Sequence, residues 1–192
     1  KAYECRYREN ENERTSKTTE LIAGIERLEA DHSQRIRKDE RRLVDSPLMV
    51  RMLLVVHLSD RKLPQHRVEL YKRFTETIMH ADYAFDEEVA EELQQLAGNS
   101  LELMRTLAFC MHSLGSDKGR EIDEEKLKAI LKPNFATEIT AFIKLIRLRG
   151  TLLEERDGDY RFLHLAFQEY LAACYLVDDY AIEEGFAAMI GF

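Results

Sequence analysis

The sequence predicts a mainly α-helical protein in two parts, a helical bundle followed by a second domain that carries one small β-hairpin. Apolar residues return at helical spacing through most of the chain, and only three prolines and eight glycines interrupt its 192 residues. A single Asp-Gly pair, Asp157-Gly158, lies between two short alternating stretches, which is the usual signal of a two-residue hairpin turn.

Residues 1–80 are predicted to form the helical domain. Residues 1–20 are dense in charge of both signs, so we expect a solvated helix face or a partly ordered lead-in. One or two amphipathic helices are predicted next, from apolar residues at helical spacing: Leu21, Ile22, Ile25 and Leu28. Ser46 and Pro47 then favour a new helix start, since serine caps helices and proline suits their first turn.

The apolar run at residues 48–58 predicts that this new helix is the core of the first part. Another amphipathic helix is expected after Pro64. Six acidic residues between positions 82 and 92, followed by Gly98-Asn99-Ser100, indicate a linker or hinge with a short helix at residues 81–99.

The second part, residues 100–180, has a definite predicted order of elements, and residues 181–192 are expected to begin a following helical region. A helix capped by Ser100 precedes a short extended piece, a helix capped by Asp123 and ended by Pro133, and a third helix at 136–149. A hairpin of strands 151–155 and 160–163 follows, and then a helix that begins near Ala166. This is the element order of a winged-helix domain, with the hairpin as its wing.

Winged helices often bind DNA through the third helix. Here the N-terminal end of that helix offers Thr137, Glu138 and Thr140 in place of basic or amide side chains. Residues 100–165 carry 11 acidic and 11 basic side chains, and the whole chain has a formal net charge of −8. Because phosphate neutralisation supplies much of DNA affinity, the sequence disfavours nucleic-acid binding, which we retain as an alternative.

The composition also bears on compartment and membrane association. The three cysteines, Cys5, Cys110 and Cys174, are odd in number and far apart, as expected in a reducing cytoplasm. The longest apolar run is too short to span a bilayer, and no signal peptide opens the chain. We therefore expect a cytoplasmic protein without a membrane segment.

Nothing in the sequence forms a complete catalytic site. The six histidines show no zinc-ligand spacing with one another or with cysteine, so no metal site is predicted. The glycines form neither a phosphate loop nor a dinucleotide fingerprint. We therefore assign no catalytic residue and do not expect this chain to be an enzyme by itself.

His164 lies where a period of two gives way to a period of 3.6. The alternation predicts that Tyr160, Phe162 and His164 share one side of an extended segment, and a helix follows. An imidazole at a helix N-terminus is well placed to help hold a phosphate. Alternatively, it finishes the strand and hydrogen-bonds the first helical turn. The residues alone leave both readings open.

Residues 162–173, Phe-Leu-His-Leu-Ala-Phe-Gln-Glu-Tyr-Leu-Ala-Ala, resemble the Phe-x-His-x-x-Phe-Gln-Glu-Tyr/Phe-x-Ala-Ala signature of the winged-helix domain in NACHT proteins. These are signal-transduction NTPases that include NOD-like receptors. Residues 46–50, Ser-Pro-Leu-Met-Val, are similar to the Asn-Pro-Leu-Leu-Leu segment of the preceding helical domain, with Ser46 in place of the commoner Asn. Residues 63–71 and 122–127 match in the same order.

The resemblance implies a regulatory role. His164 is expected to reach the β-phosphate of bound ADP and hold a closed, resting state, and Pro47 to pack near the adenine. ADP or ATP with Mg²⁺ would bind to an NTPase core expected before Lys1. Further implied partners are a C-terminal sensor domain and, on activation in signalling or innate defence, other copies of the protein. The alternatives are a winged-helix DNA-binding regulator and a protein-interaction module whose histidine is structural.

Overall fold

The computed structural model describes residues 11–35, 43–60, 62–80, 99–149 and 152–178. The predicted hinge at 81–99, apart from Asn99, lies outside these residues, as do positions 1–10 of the lead-in and the region 181–192. The chain divides into two compact units, Lys1–Thr77 and Ile78–Phe192, and each is described by itself.

The first unit is helical. Its helices are α1 (Glu11–Arg35), a short 3-10 helix (Leu43–Asp45), α2 (Pro47–Asp60) and α3 (Arg67–His80), the last of which crosses the division between the units. One long helix, α1, takes in the second half of the charged lead-in and the first apolar stripe. Leu21 and Leu28, seven residues apart, are buried, whereas Ile22 is half exposed, so the buried stripe of α1 is narrow.

The start of α2 confirms the prediction from Ser46 and Pro47. Pro47 is the first helical residue, where its missing N–H costs no hydrogen bond. The carbonyl of Ser46 accepts a hydrogen bond from the Val50 N–H at 3.0 Å, and its hydroxyl lies 3.5 Å from the Met49 nitrogen, a long capping contact. The core character of α2 is also confirmed by its buried residues: Met49, Met52, Leu53, Val56 and His57.

The second unit contains the predicted winged-helix order. Its elements are α4 (Ser100–Ser113), α5 (Gly115–Lys118), β1 (Ile122–Asp123), α6 (Glu124–Phe135), α7 (Ile139–Arg149), β2 (Leu153–Arg156), β3 (Asp159–Phe162) and α8 (Leu165–Asp178). The three strands form an antiparallel sheet in the order β1-β3-β2. The protein is therefore mostly helical with one small sheet, as the sequence predicts.

The wing forms as the Asp-Gly pair predicts. Leu153 pairs with Phe162 and Arg156 with Asp159, which leaves Asp157 and Gly158 as the two turn residues. Both have positive φ, 57° and 92°, the conformation that a tight hairpin turn requires of its central residues. Since only glycine adopts φ near 90° without strain, Gly158 is needed for this turn.

Two predicted helix boundaries are wrong. Asn99, not Ser100, is the N-cap residue of α4; Ser100 is buried as the first helical residue, and the Asn99 side chain makes no capping hydrogen bond. Pro133 does not end its helix but lies inside α6, which continues to Phe135. A proline so near the helix end removes only one hydrogen bond, and burial of the Phe135 ring stabilises the last turn.

The predicted third helix also begins later than expected. Residues 136–138 form the turn between α6 and α7, with the Glu138 N–H donating to the Phe135 carbonyl at 3.1 Å. Asp123 caps α6 as predicted, because its carboxylate accepts the Lys126 N–H at 2.7 Å. The sequence therefore predicts the cap with a charged acceptor but not the tight turn of the helix-turn-helix at residues 136–138.

The core of the second unit is built mainly where α8 packs against α4. The rings of Phe109 and Tyr175 stack with centroids 4.7 Å apart and planes 16° from parallel. The predicted inward faces are buried, including Leu103, Met104, Leu107 and Met111 on α4 and Ile139, Phe142, Ile143 and Ile146 on α7. In the parts of the chain that the structure describes, none of the helices is long and apolar enough to cross a membrane.

Candidate functional site

His164 lies in the two-residue link between β3 and α8, and the backbone of this link is held on both sides. The Leu163 N–H donates to the Leu152 carbonyl at 2.9 Å, which extends the pairing of β2 with β3 by one bond. The His164 carbonyl accepts the Phe167 N–H at 3.0 Å, which closes the first turn of α8. The position of His164 is therefore set by the sheet before it and the helix after it.

The predicted alternation does not extend to His164. Tyr160 and Phe162 are buried on the inner side of the sheet, whereas His164 is exposed. The strand ends at Phe162 and the chain turns into α8, so His164 no longer follows the period of two. Because of this turn the imidazole ring lies at the surface, whereas a continued strand would have pointed it to the buried side of the sheet.

The imidazole of His164 acts as the N-cap of α8. Its Nδ1 accepts a hydrogen bond from the Ala166 N–H at 3.1 Å, one of the helix-end donors that lack an intrahelical partner. An Nδ1 that accepts is unprotonated, so the neutral ring carries its proton on Nε2. Among the described residues no hydrogen-bond partner is found for this Nε2–H, which leaves one donor available on an exposed ring.

His164 has an exposed leucine on each side of it in the chain. Leu163 is 39% exposed and Leu165 is 38% exposed. Their exposure gives His164 a partly apolar rim. A surface that covered this rim would exclude water from the Nε2–H and strengthen its hydrogen bonds.

A cavity of about 250 Å³ lies beside the start of α8. It is lined by Arg120, Glu121, Arg161, Phe162, Leu165 and Gln168. The guanidinium of Arg161 contacts the carboxylate of Glu154 at 2.5 Å and that of Glu121 at 3.8 Å. The hydrogen bond to Glu154 and the charge of that carboxylate raise the pKa of Arg161. The charge of Arg161 is therefore already balanced by acidic neighbours.

Gln168 is a site residue that sequence reasoning missed. It is 3% exposed, and its side-chain Nε2–H donates to the Gly119 carbonyl at 2.8 Å. The available signal was its place in the Phe-Gln-Glu motif, directly after Phe167, which the helical period places on the apolar face. Its partner, 49 residues earlier, has no sequence signal.

Pro47, the second predicted site residue, is exposed at the start of α2. It belongs to the first unit, whereas His164 belongs to the second. Its fixed φ and missing N–H account for its place in the first turn without any ligand.

One basic side chain of the third helix of the winged-helix domain, Arg147, is paired with acidic residues. The Arg147 guanidinium on α7 lies 2.5 Å from one carboxylate oxygen of Glu124 and 4.0 Å from the carboxylate of Glu155. At the other end of α7, the Thr137 hydroxyl donates to the Glu138 carboxylate at 2.7 Å. No group of three His, Cys, Asp or Glu side chains suited to a metal ion is found in the described ranges.

Comparison with known families assigns this architecture. Residues 67–176, more than half of the chain, match the family described as the winged helix-turn-helix domain C-terminal to NACHT. No curated protein and no solved structure matches the chain. A winged-helix domain is not itself a catalytic NTPase domain. With α4 to α8 in winged-helix order and the family match across them, the chain belongs to the winged helix-turn-helix domains that follow NACHT modules.

Proposed function

We propose that this chain is the regulatory helical and winged-helix portion of a NACHT-type signalling NTPase, and that His164 helps to hold the ADP-bound resting state. Family membership supports the association with a NACHT NTPase core in the same protein. The observation that carries the role of His164 is its capping geometry, since Nδ1 accepts from the Ala166 N–H and so assigns the proton to Nε2.

The residues at the start of α8 suit a phosphate. His164 offers a neutral Nε2–H donor, and the N-terminal end of α8 adds a partial positive charge without a full ionic charge. Bound ADP would supply the negative β-phosphate oxygens that accept this bond. In the proposed resting state the apolar rim of Leu163 and Leu165 is covered by the NTPase core, which shields the hydrogen bond from water.

In this proposal the contact between His164 and ADP biases an equilibrium between a closed and an open state. A hydrogen bond to a charged group contributes about 1.5–3 kcal/mol, enough to change a two-state ratio roughly 10- to 100-fold. His164 makes the bond only in the closed state, so nucleotide exchange or a trigger at a C-terminal sensor removes the bias. We further propose that Pro47 lies near the adenine, and that opening exposes surfaces for self-assembly in signalling.

Two substitutions in the full-length protein test the role of His164. His164→Asn keeps a good N-cap acceptor but lacks the reach of the imidazole, whereas His164→Ala loses both. We expect ADP to dissociate roughly 10- to 100-fold faster from both variants, with a loss of thermal stability mainly in His164→Ala. An ADP dissociation rate unchanged in His164→Asn would contradict the proposal.

The interaction-module alternative is favoured by the same capping bond, because it gives His164 a sufficient structural role. It predicts that His164→Asn behaves like the wild type in ADP release and in signalling, and that only His164→Ala, which loses the cap, is impaired. The two variants therefore separate a ligand-contacting histidine from a purely structural one.

The DNA-binding alternative lacks such support, since Arg147 and Arg161 are engaged by Glu124, Glu155, Glu154 and Glu121. We expect this chain to show no measurable binding to duplex DNA at low salt. Tight binding that weakens steeply as salt rises would instead support a DNA-binding regulator.

A further inference from the structure

Gln168 is a buried polar side chain in a helix that otherwise buries apolar ones. It lies four residues after His164 in the first turns of α8, which places it on the same side of the helix start. Its Nε2–H donates to the Gly119 carbonyl at 2.8 Å. Because a buried amide without a partner is costly, this hydrogen bond strongly favours one position of the start of α8 relative to Gly119.

Gly119 is itself firmly placed. Its N–H donates to the Gly115 carbonyl at 3.0 Å, and it follows directly after α5. A Cβ atom at this position would lie 1.8 Å from the Met111 carbonyl oxygen, so the backbone of Gly119 is pressed against the C-terminal end of α4. The acceptor of Gln168 is therefore part of the rigid packing around α4.

The ring of His164 depends on the same helix start. Its Nδ1 is held by the Ala166 N–H and its carbonyl by the Phe167 N–H, both in the first turn of α8. A shift of that turn would move both donors and rotate the imidazole with them. The chain of contacts thus runs from α4 through Gly119 and Gln168 to the first turn of α8, and from there to His164.

We propose that Gln168 is a positioning residue for His164, holding the first turn of α8 so that the Nε2–H stays presented for its phosphate contact. The inference rests on the proposed function, since Gln168 would act by holding the His164 imidazole in place. Gln168 touches no ligand in this role.

The test uses Gln168→Met in the full-length protein, which keeps side-chain length but removes the donor. We expect ADP to dissociate about three- to tenfold faster, a smaller change than in His164→Asn. In the double variant with His164→Asn, Gln168→Met should add no further acceleration, since a positioning residue acts only through the residue that it positions. If Gln168→Met does not fold, Gln168→Leu, which also removes the donor and adds no unpaired polar group of its own, serves the same comparison.

A second readout requires no nucleotide. The rate of amide hydrogen exchange in the peptide that contains Ala166 and Phe167 should rise at least several-fold in Gln168→Met. The reason is that the first turn of α8 loses the hydrogen bond to Gly119 that holds it. Two controls are matched to it. Glu169→Gln changes the exposed neighbouring residue and should alter neither readout, and Leu131→Ala destabilises the same unit from the buried face of α6.

The outcomes separate the two proposals. If His164→Asn speeds ADP release and Gln168→Met does not, the positioning role is overturned while the proposed function stands. If Leu131→Ala speeds release as much as Gln168→Met, the effect reflects stability alone and the positioning role is again overturned. If His164→Asn has no effect on ADP, the proposed function fails, and unchanged exchange at Ala166 in Gln168→Met then overturns the anchoring as well.

Discussion

The phenolic hydroxyl of Tyr160 donates a hydrogen bond to the carboxylate of Glu124 at 3.0 Å, joining β3 to the first turn of α6 across 36 residues. The same carboxylate oxygen accepts the Arg147 guanidinium, and the other oxygen contacts the Lys128 ammonium at 2.6 Å. One acidic residue at a helix N-terminus therefore connects the wing, α6 and α7. These interactions lower the pKa of Glu124, first through Lys128 and then through Tyr160.

Tyr160→Phe should destabilise the protein by about 1 kcal/mol, because the ring stays buried while its hydroxyl bond to Glu124 is lost. Chemical denaturation of Tyr160→Phe, Glu124→Ala and the double variant measures the coupling between the two residues. If their effects are fully additive, the hydrogen bond contributes nothing to stability.

Alkaline pH should weaken the fold through Tyr160. Burial and the hydrogen bond to Glu124 raise the pKa of Tyr160 to about 12, above the value of about 10 in an unfolded chain. Tyr160 therefore loses its proton at lower pH in the unfolded state than in the folded state. Its contribution to the free energy of unfolding is complete below pH 10 and is lost as the pH rises from 10 towards 12. The free energy of unfolding, measured by chemical denaturation between pH 9 and 11.5, should decrease with pH. This decrease should be smaller in Tyr160→Phe than in the wild type.

Mild acid should weaken the first unit through His57. This side chain is buried in α2, and burial lowers its pKa; the charge of Lys17 acts in the same direction, while the charge of Glu20 opposes both. The folded state therefore resists protonation of His57. The contribution of neutral His57 to stability is complete above the unfolded pKa of about 6.5 and falls as the pH decreases below it. The slope is at most roughly 1.4 kcal/mol per pH unit.

Thermal denaturation at pH 7.5 and pH 5.5 measures this loss. The neutral variant His57→Gln should have a smaller difference in Tm between the two pH values than the wild type. An equal difference in both proteins would show that other groups cause the acid sensitivity.

Gly119→Ala should be strongly destabilising, by about 3 kcal/mol, because its Cβ would meet the backbone oxygen of Met111 and backbone cannot move aside as a side chain can. Gly158→Ala is the matched comparison. No atom lies near its added Cβ, so only the positive φ of 92° opposes it, at a cost of about 1–2 kcal/mol. The denaturation midpoint of Gly119→Ala should therefore be lower than that of Gly158→Ala. A higher midpoint for Gly119→Ala would contradict the close packing at Gly119.

Local signals in the sequence predicted most of the second unit. The carboxylate of Asp123 next to a helical pattern, the Asp157-Gly158 pair and the change of period before α8 each depend on neighbours within a few residues. The failures at Ser100 and Pro133 are of another kind. At those positions burial of Ser100 and Phe135 prevailed over local preference, and burial depends on the whole fold.

The sequence by itself determined the order of the elements, the wing and the junction at His164, because helix periods, caps and tight turns are properties of short stretches of chain. Only the tertiary structure decided which distant groups meet: Tyr160 with Glu124, Gln168 with Gly119, and the Leu152 carbonyl with the link before His164. The pairing of a buried donor with its acceptor depends on how whole elements pack, and no short-range pattern records it. Within the described ranges, the same packing leaves the Nε2–H of His164 without a protein partner on an exposed ring.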